Sequence, residues 1–379
     1  MAQLTFMNQA IFDHGASANL RKVLAQQGIA RPLLCTDRGL VELGMAADLL
    51  EPLGNEAPAT VFDDTPENPT QAAVAAAADL YRSAGCDGIV AFGGGSPMDL
   101  GKAVALAVTH DGDLLGYTAG LGGARKIGPV APLIAVPTTA GTGSEVSSGA
   151  VITMDNGEKL ILASRHLTPR VALCDPSLTL GLPPLLTAAT GMDAVTHCVE
   201  SLLSPWVNPP ADAVACDGLE RSLRDGHLLR AVRDGSDADA RWHMMMAATE
   251  GAMAFAKGLG AVHSMSHACG ADKELRLHHG TLNAVLLPTV LDFNRDHVSD
   301  KVVRLNGAMG LKPDADPADY FRRLNVEMGM PKNLGEMGIR REAIPALAEH
   351  ASKDICNATN PRPCSADAFE ALFEIALGS

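Results

Sequence analysis

At 379 residues, with 47% apolar residues and a formal net charge of −14, the chain is long enough for two cores and too acidic to suit nucleic acid or an anionic membrane surface. No segment reaches the roughly 18 uninterrupted apolar residues of a membrane span, and the opening MAQLTFMNQAIFDHG lacks the basic and apolar blocks of a secretory signal. Eight cysteines with no C-x-x-C pair read as reduced, mostly buried thiols, so the expected compartment is the cytoplasm.

In chain order, the first half alternates two kinds of segment. Short apolar runs bounded by turn residues, at 32–35, 88–92 and 133–136, have the look of buried parallel strands. Between the first two lies an alanine-rich stretch, 69–83, that predicts a helix with Pro69 at its first position. This rhythm predicts a parallel sheet with helices on its faces. After about Leu182 the strand signal stops. Segments 183–203, 211–224, 237–257, 262–269 and 279–294 read as helices, and a last amphipathic helix is expected over 366–377. Pro183 and Pro184 mark the hinge. The expected organisation is therefore an α/β nucleotide-binding domain over 1–182 and an all-α metal-binding domain over 183–379.

The turn after the second strand carries Gly93, Gly94 and Gly95, followed by Ser96 and Pro97. Glycines at a strand-to-helix junction let backbone N–H groups approach a pyrophosphate, with Ser96 suited to the N-cap and Pro97 to the first turn. Taken alone, such a triplet is equally a tight turn. Asp37, just after the first of these strands, can accept hydrogen bonds from an adenosine ribose and would repel a 2′-phosphate, which favours NAD over NADP; a helix N-cap is the plainer reading of the same residue. A polar, glycine-rich loop, PTTAGTGSE at 137–145, follows the third strand, where open α/β sheets bind ligands. In the ordinary dinucleotide fingerprint the glycines precede the acid by about 20 residues. Here the acid comes first.

The helical half holds the sharper signal. Asp193 and His197 are four apart, as are His263 and His267, and His279 follows in LHHG. Residues at i and i+4 share a helix face, so each pair can aim two side chains at one point. One carboxylate and three imidazoles suit Fe²⁺ or Zn²⁺ rather than Ca²⁺ or Mg²⁺. A lone histidine on an apolar helix is usually a packing residue, but two such pairs make coincidence a poor explanation. HSMSH is not the protease motif H-E-x-x-H, because Ser264 stands where the general-base Glu would be. Spacing leaves His278 and His279 as rivals for the last position.

Together these motifs resemble the iron-containing (group III) alcohol dehydrogenase family over nearly the whole chain. The matching parts are GGGSPMDLGK (93–102), PTTAGTGSE (137–145), GMDAVTH (191–197), GLGAVHSMSH (258–267) and HGTLNAVLLP (279–288). The resemblance implies a dehydroquinate synthase-like architecture and metal ligation by Asp193, His197, His263 and His279, with His267 a catalytic residue near the reacting carbon. It implies cofactor binding by Asp37, Gly94, Gly95, Ser96, Asp99, Thr138, Thr139, Thr142 and Lys159. The activity it implies is NAD-dependent hydride transfer between a small alcohol or hydroxy acid and nicotinamide. The metal is Fe²⁺ by resemblance, with Zn²⁺ competing on affinity, and the assembly is a homo-oligomer, a dimer. Three other functions compete. A metal- and NAD-dependent lyase of dehydroquinate synthase type needs clustered cations, and only Lys257, Lys273 and Arg276 lie near in sequence. A maleylacetate reductase-like activity goes with relatives that have lost metal ligands, whereas all four are kept here. A non-catalytic dinucleotide sensor would need no metal.

Overall fold

The structure, a computed structural model, describes residues 8–54, 58–271 and 275–378. Lys273 and the first seven residues lie outside that range. Contacts divide the chain into two units. One runs up to Thr139 and includes Ser144–Thr179; the other takes Ala140–Gly143 and the chain from Leu180 onward.

The first unit is built on a six-stranded sheet in which every described pairing is parallel. Its strands are β1 (Gln9–Phe12), β2 (Pro32–Cys35), β3 (Thr60–Phe62), β4 (Gly88–Gly93), β5 (Leu133–Pro137) and β8 (Val171–Cys174). A separate antiparallel hairpin joins β6 (Gly149–Thr153) to β7 (Lys159–Ala163). The sheet order is β1-β8-β5-β4-β2-β3. Side chains alternate between two cores: Leu33, Cys35, Ile89, Ala91, Leu133 and Ala135 enter one, and Leu34, Val90, Phe92, Ile134 and Val136 the other. Both faces being covered explains why these strands read as continuous apolar runs. The chain passes from β2 to β3 at one edge, then returns to lay β4 and β5 on the other side of β2. The direction of growth therefore reverses between β2 and β4, the crevice where open α/β sheets hold nucleotides.

Two helices of this unit start elsewhere than the sequence suggests. Helix α2 (Gln71–Ser83), which follows the short α1 (Arg38–Glu42), begins after Thr70, whose hydroxyl accepts from the Ala73 N–H at 3.1 Å. Pro69 is not its first residue, because the Pro69 carbonyl accepts from the Thr153 N–H of β6. Helix α3 (Gly95–Ala107) is capped by Gly94, two positions before the expected Ser96. Pro97 then sits in the first turn, where no intrahelical partner is lost.

The second unit is helical, and every strand of the described residues lies before Leu180. Its centre is α4 (Pro184–Leu203), buried at every position from Thr187 to Leu203. Against it pack α5 (Pro209–Leu219), α6 (Ala238–Ala254) and α8 (His279–Asn294), and on α8 pack α7 (Ala261–Gly270) and a C-terminal helix, α9 (Ala366–Leu377). Helix α5 starts two residues before the expected 211, capped by Asn208, and Glu220–Arg224 continues it as a π-turn. Glycine lets α8 cross α4 closely: a Cβ on Gly280 would stand 2.1 Å from the Ala189 carbonyl oxygen. The segment Ala140–Gly143 uses its glycines in the same way, a Cβ on Gly141 meeting Thr190 at 2.8 Å and one on Gly143 meeting Ala252 at 2.2 Å.

Candidate active site

In the sheet unit, the β2–β4 register pairs Cys35 with Ala91 and the β4–β5 register pairs Gly93 with Pro137. The residues just past these strands therefore share one edge of the sheet. Asp37 caps α1, accepting from the Leu40 N–H at 3.0 Å, and an N-cap carboxylate keeps lone pairs for a second partner. Gly93 has φ of +144°, and a Cβ there would strike Pro97 at 2.6 Å, so glycine is required at this turn. Gly94 faces Thr139, whose side chain lies 3.4 Å from where a Cβ would be, and the Thr138 N–H donates to the Gly93 carbonyl at 3.0 Å. Gly94, Gly95 and Ser96 thus open a helix beside Thr138 and Thr139, with free N–H groups and a positive dipole end. The Ser96 hydroxyl donates to the Glu67 carbonyl.

Asp99 lies on α3 and Lys159 opens β7. Asp99 accepts from the Ser144 hydroxyl at 2.8 Å and from the Val151 N–H at 2.9 Å, and burial raises its pKa. The Lys159 ammonium donates to Asn68 at 2.9 Å, with its pKa lowered by burial. Lys102, which the sequence gives no reason to single out, is buried and donates to Ser144, Ser147 and the Gly149 carbonyl; burial brings it down to about 8. Thr142 belongs to the Ala140–Gly143 segment grouped with the helical unit.

In the helical unit, α4, α7 and α8 bring four donors together. The Nε2 atoms of His197, His263 and His279 lie 3.5, 3.7 and 3.5 Å from Asp193 Oδ1. A tetrahedral ion with bonds of about 2.1 Å would separate its ligands by about 3.4 Å, which the three distances from Asp193 approach; the ligand atoms of Asp193, His197 and His263 also lie within 4.8 Å of one another. His279 faces Asp193, whereas His278 precedes α8 and is exposed. Asp193, His197 and His263 are buried; the His279 side chain is 32% exposed, which leaves one side open.

The charges of this cluster shift one another. Burial pushes the Asp193 carboxyl up, but the imidazoles of His197, His279 and His263 outweigh it and hold it well below the usual carboxylate range. Burial brings His197 down to about 4. His263 goes the other way: burial opposes its charge, yet hydrogen bonds to Asp193 and Glu200 push it up to about 9. The Asn283 amide nitrogen lies 2.8 Å from Asp193 Oδ1 and 3.3 and 3.2 Å from the Nε2 atoms of His263 and His279. Its carbonyl oxygen is buried with no hydrogen-bond partner.

His267, on the face of α7 that carries His263, stacks on His279 with ring centroids 5.4 Å apart. Its Nδ1 lies 2.9 Å from Asp354, and burial of that carboxyl is outweighed by His267, which keeps it well below the usual range. Glu200, Asn283, Ser266 and Asp354 form the surround that sequence reading missed. Glu200 lies seven residues after Asp193, and Asn283 four after His279, so helical spacing could have found both. No local pattern points to Asp354, 87 residues from its partner.

The profile of a family described as "Iron-containing alcohol dehydrogenase" matches residues 8–176, and that of its C-terminal region matches residues 187–377. A 4-hydroxybutyrate dehydrogenase of Cupriavidus necator is 49% identical, over 99% of each chain. The crystal structure of a 1,3-propanediol oxidoreductase superposes with a TM-score of 0.93 at 34% identity, covering 99% of this chain and 100% of that one. A sulfoacetaldehyde reductase from Bifidobacterium kashiwanohense, solved in complex with NAD⁺, gives 0.89 at 28% identity, covering 100% and 99%.

Proposed function

The chain belongs to the iron-containing alcohol dehydrogenase family and is an oxidoreductase acting on CH–OH groups; from that premise we propose that it interconverts a short hydroxy acid, of the 4-hydroxybutyrate kind, and its aldehyde, using NAD and a divalent metal. The observation that carries the metal reading is the ring of three Nε2 atoms 3.5–3.7 Å from one buried carboxylate oxygen. Asp193, His197, His263 and His279 would hold the ion, Fe²⁺ by family and Zn²⁺ as the alternative. Bound there, the ion would supply Lewis acidity toward an alcohol oxygen, and a nicotinamide would supply the hydride acceptor.

The remaining roles fall to the chain itself. Asp193 supplies the one negative charge of the donor set, which leaves a divalent ion electron-poor. His267 presents Nε2 because Asp354 engages its Nδ1, and its side chain is 13% exposed, which supports proton exchange with solvent. The Phe255 ring packs edge-on against His197 at 5.1 Å and gives that side an apolar wall. Asp37, Gly94, Gly95, Ser96, Thr138 and Thr139 would hold the dinucleotide at the sheet's switch point, with Asp99, Thr142 and Lys159 as further candidates. The charge of Asp37 supports NAD over NADP.

The lyase reading finds less support. Lys257 is buried and donates to the Leu202 carbonyl and to Asp212, so it is not available to a phosphorylated substrate. All eight cysteines are free thiols, which supports a reducing compartment, the cytoplasm. Among the described residues no helix is long and apolar enough to cross a membrane. A dimeric assembly is proposed from the family resemblance.

The test is a panel of short diols, hydroxy acids and aldehydes with added Fe²⁺ or Zn²⁺, read by the absorbance of reduced nicotinamide. Reduction of NAD⁺ by 4-hydroxybutyrate above the simple alcohols is the expected result. Phosphate release from a phosphorylated polyol without net NADH would instead identify the lyase.

A further inference from the structure

We propose that Glu200 is the positioning residue that selects the metal-binding tautomer of His263, an inference that rests on the metal reading above. Glu200 is buried on α4, one turn beyond His197. Both of its oxygens are committed: Oε1 accepts from the Val262 N–H at 2.7 Å, and Oε2 lies 2.6 Å from His263 Nδ1. A carboxylate only accepts, so Nδ1 must carry the proton. The lone pair of His263 is then confined to Nε2, the atom that faces Asp193 Oδ1 at 3.7 Å. Fixing the far nitrogen of a ligating imidazole with a carboxylate sets its tautomer and orientation and raises its basicity.

The Nδ1 atoms of the other two imidazoles meet different surroundings. His279 Nδ1 meets the Ser266 hydroxyl at 2.8 Å, and a hydroxyl can donate or accept. His197 Nδ1 is buried with no hydrogen-bond partner. Glu200 is therefore a group whose chemistry dictates the tautomer of His263. Its placement is itself enforced. A Cβ on Gly260 would lie 2.8 Å from Glu200 Oε1, so glycine at that position leaves room for the carboxylate to cap α7 at Val262 while holding His263.

The experiment titrates Zn²⁺ against a competing chelator in the wild type, Glu200→Gln and Asp193→Ala, with thermal melting of the metal-free proteins as the fold control. In Glu200→Gln, if the carbonyl keeps the Val262 N–H, the amide –NH₂ faces Nδ1 and favours the tautomer with its proton on Nε2. Zn²⁺ affinity is expected to fall by about 10- to 100-fold, while the metal-free variant still melts in one cooperative transition. Wild-type affinity in Glu200→Gln, with Asp193→Ala unable to bind, overturns the role of Glu200 and leaves the metal site standing. Equal affinity in the wild type and Asp193→Ala overturns the metal reading, and the inference falls with it. Should Glu200→Gln fail to fold, ¹⁵N-histidine spectra of the Zn²⁺-loaded wild type decide the matter: His263 with its proton on Nδ1 supports the proposal, and a proton on Nε2 overturns it.

Discussion

Gly280→Ala probes how packing sets the candidate site. Gly280 follows His279 at the start of α8, and a Cβ there would stand 2.1 Å from the Ala189 carbonyl oxygen and 2.7 Å from its carbon. Ordinary contact begins at 3.4 Å, so α8 and α4 must separate by about 1.3 Å (3.4 − 2.1) for alanine to fit. Both sides of this clash are backbone, so no side-chain rotation relieves it. Overpacking of this kind costs about 1–3 kcal/mol. The displacement also exceeds the roughly 0.2 Å tolerance of a metal–ligand bond several-fold, and it acts on the residue next to His279. The expected result is a lower melting temperature together with Zn²⁺ affinity reduced about tenfold or more, measured by melting and by chelator competition. The control is Gly307→Ala, an exposed helical position where a Cβ would meet nothing within 4 Å; it should stabilise by about 0.4–1 kcal/mol and leave metal binding alone. Wild-type stability and affinity in Gly280→Ala would refute the claim that this crossing sets the position of His279.

Removing a ligand should have a simpler outcome: His263→Ala is expected to strip the metal, shown by metal analysis of the purified protein, and to abolish turnover, and full activity in a metal-free variant would sink the mechanism. In the metal-free protein, the His263 pKa of about 9 lies above its ordinary 6.5. Its stabilising contribution is therefore complete below pH 6.5 and lost as pH rises toward 9, measured by denaturant titration across that window. Metal must displace the same proton, so Zn²⁺ affinity should rise about tenfold per pH unit over that window and level off above it. Asp37→Ser keeps a capping oxygen on α1 while removing the charge, and the NADP⁺-to-NAD⁺ ratio of kcat/KM should rise by about tenfold or more if that carboxylate discriminates at close range; an unchanged ratio assigns Asp37 to capping alone.

Local chemistry made much of this protein legible in its sequence. Strands β2, β4 and β5 are covered on both faces and so appear as unbroken apolar runs, and α9 fell at its expected bounds because one amphipathic face and a Ser365 cap are local signals. The pairs Asp193/His197 and His263/His267 declared themselves because helical spacing is a short-range rule. Edge strand β1 is half exposed, β3 spans three residues, and β6–β7 is held by pairing with itself, so none of these carried a strong pattern. Tertiary structure alone decided three things. It set His279 Nε2 3.5 Å from Asp193 Oδ1 and left His278 exposed at the cap of α8, because the start of a helix sends adjacent side chains in different directions. It started α3 at Gly95 rather than Pro97, because the strand–helix junction turns at Gly93. It brought Glu200 to His263 and Asp354 to His267, because hydrogen bonds between distant segments follow from packing, and no sequence window contains both partners.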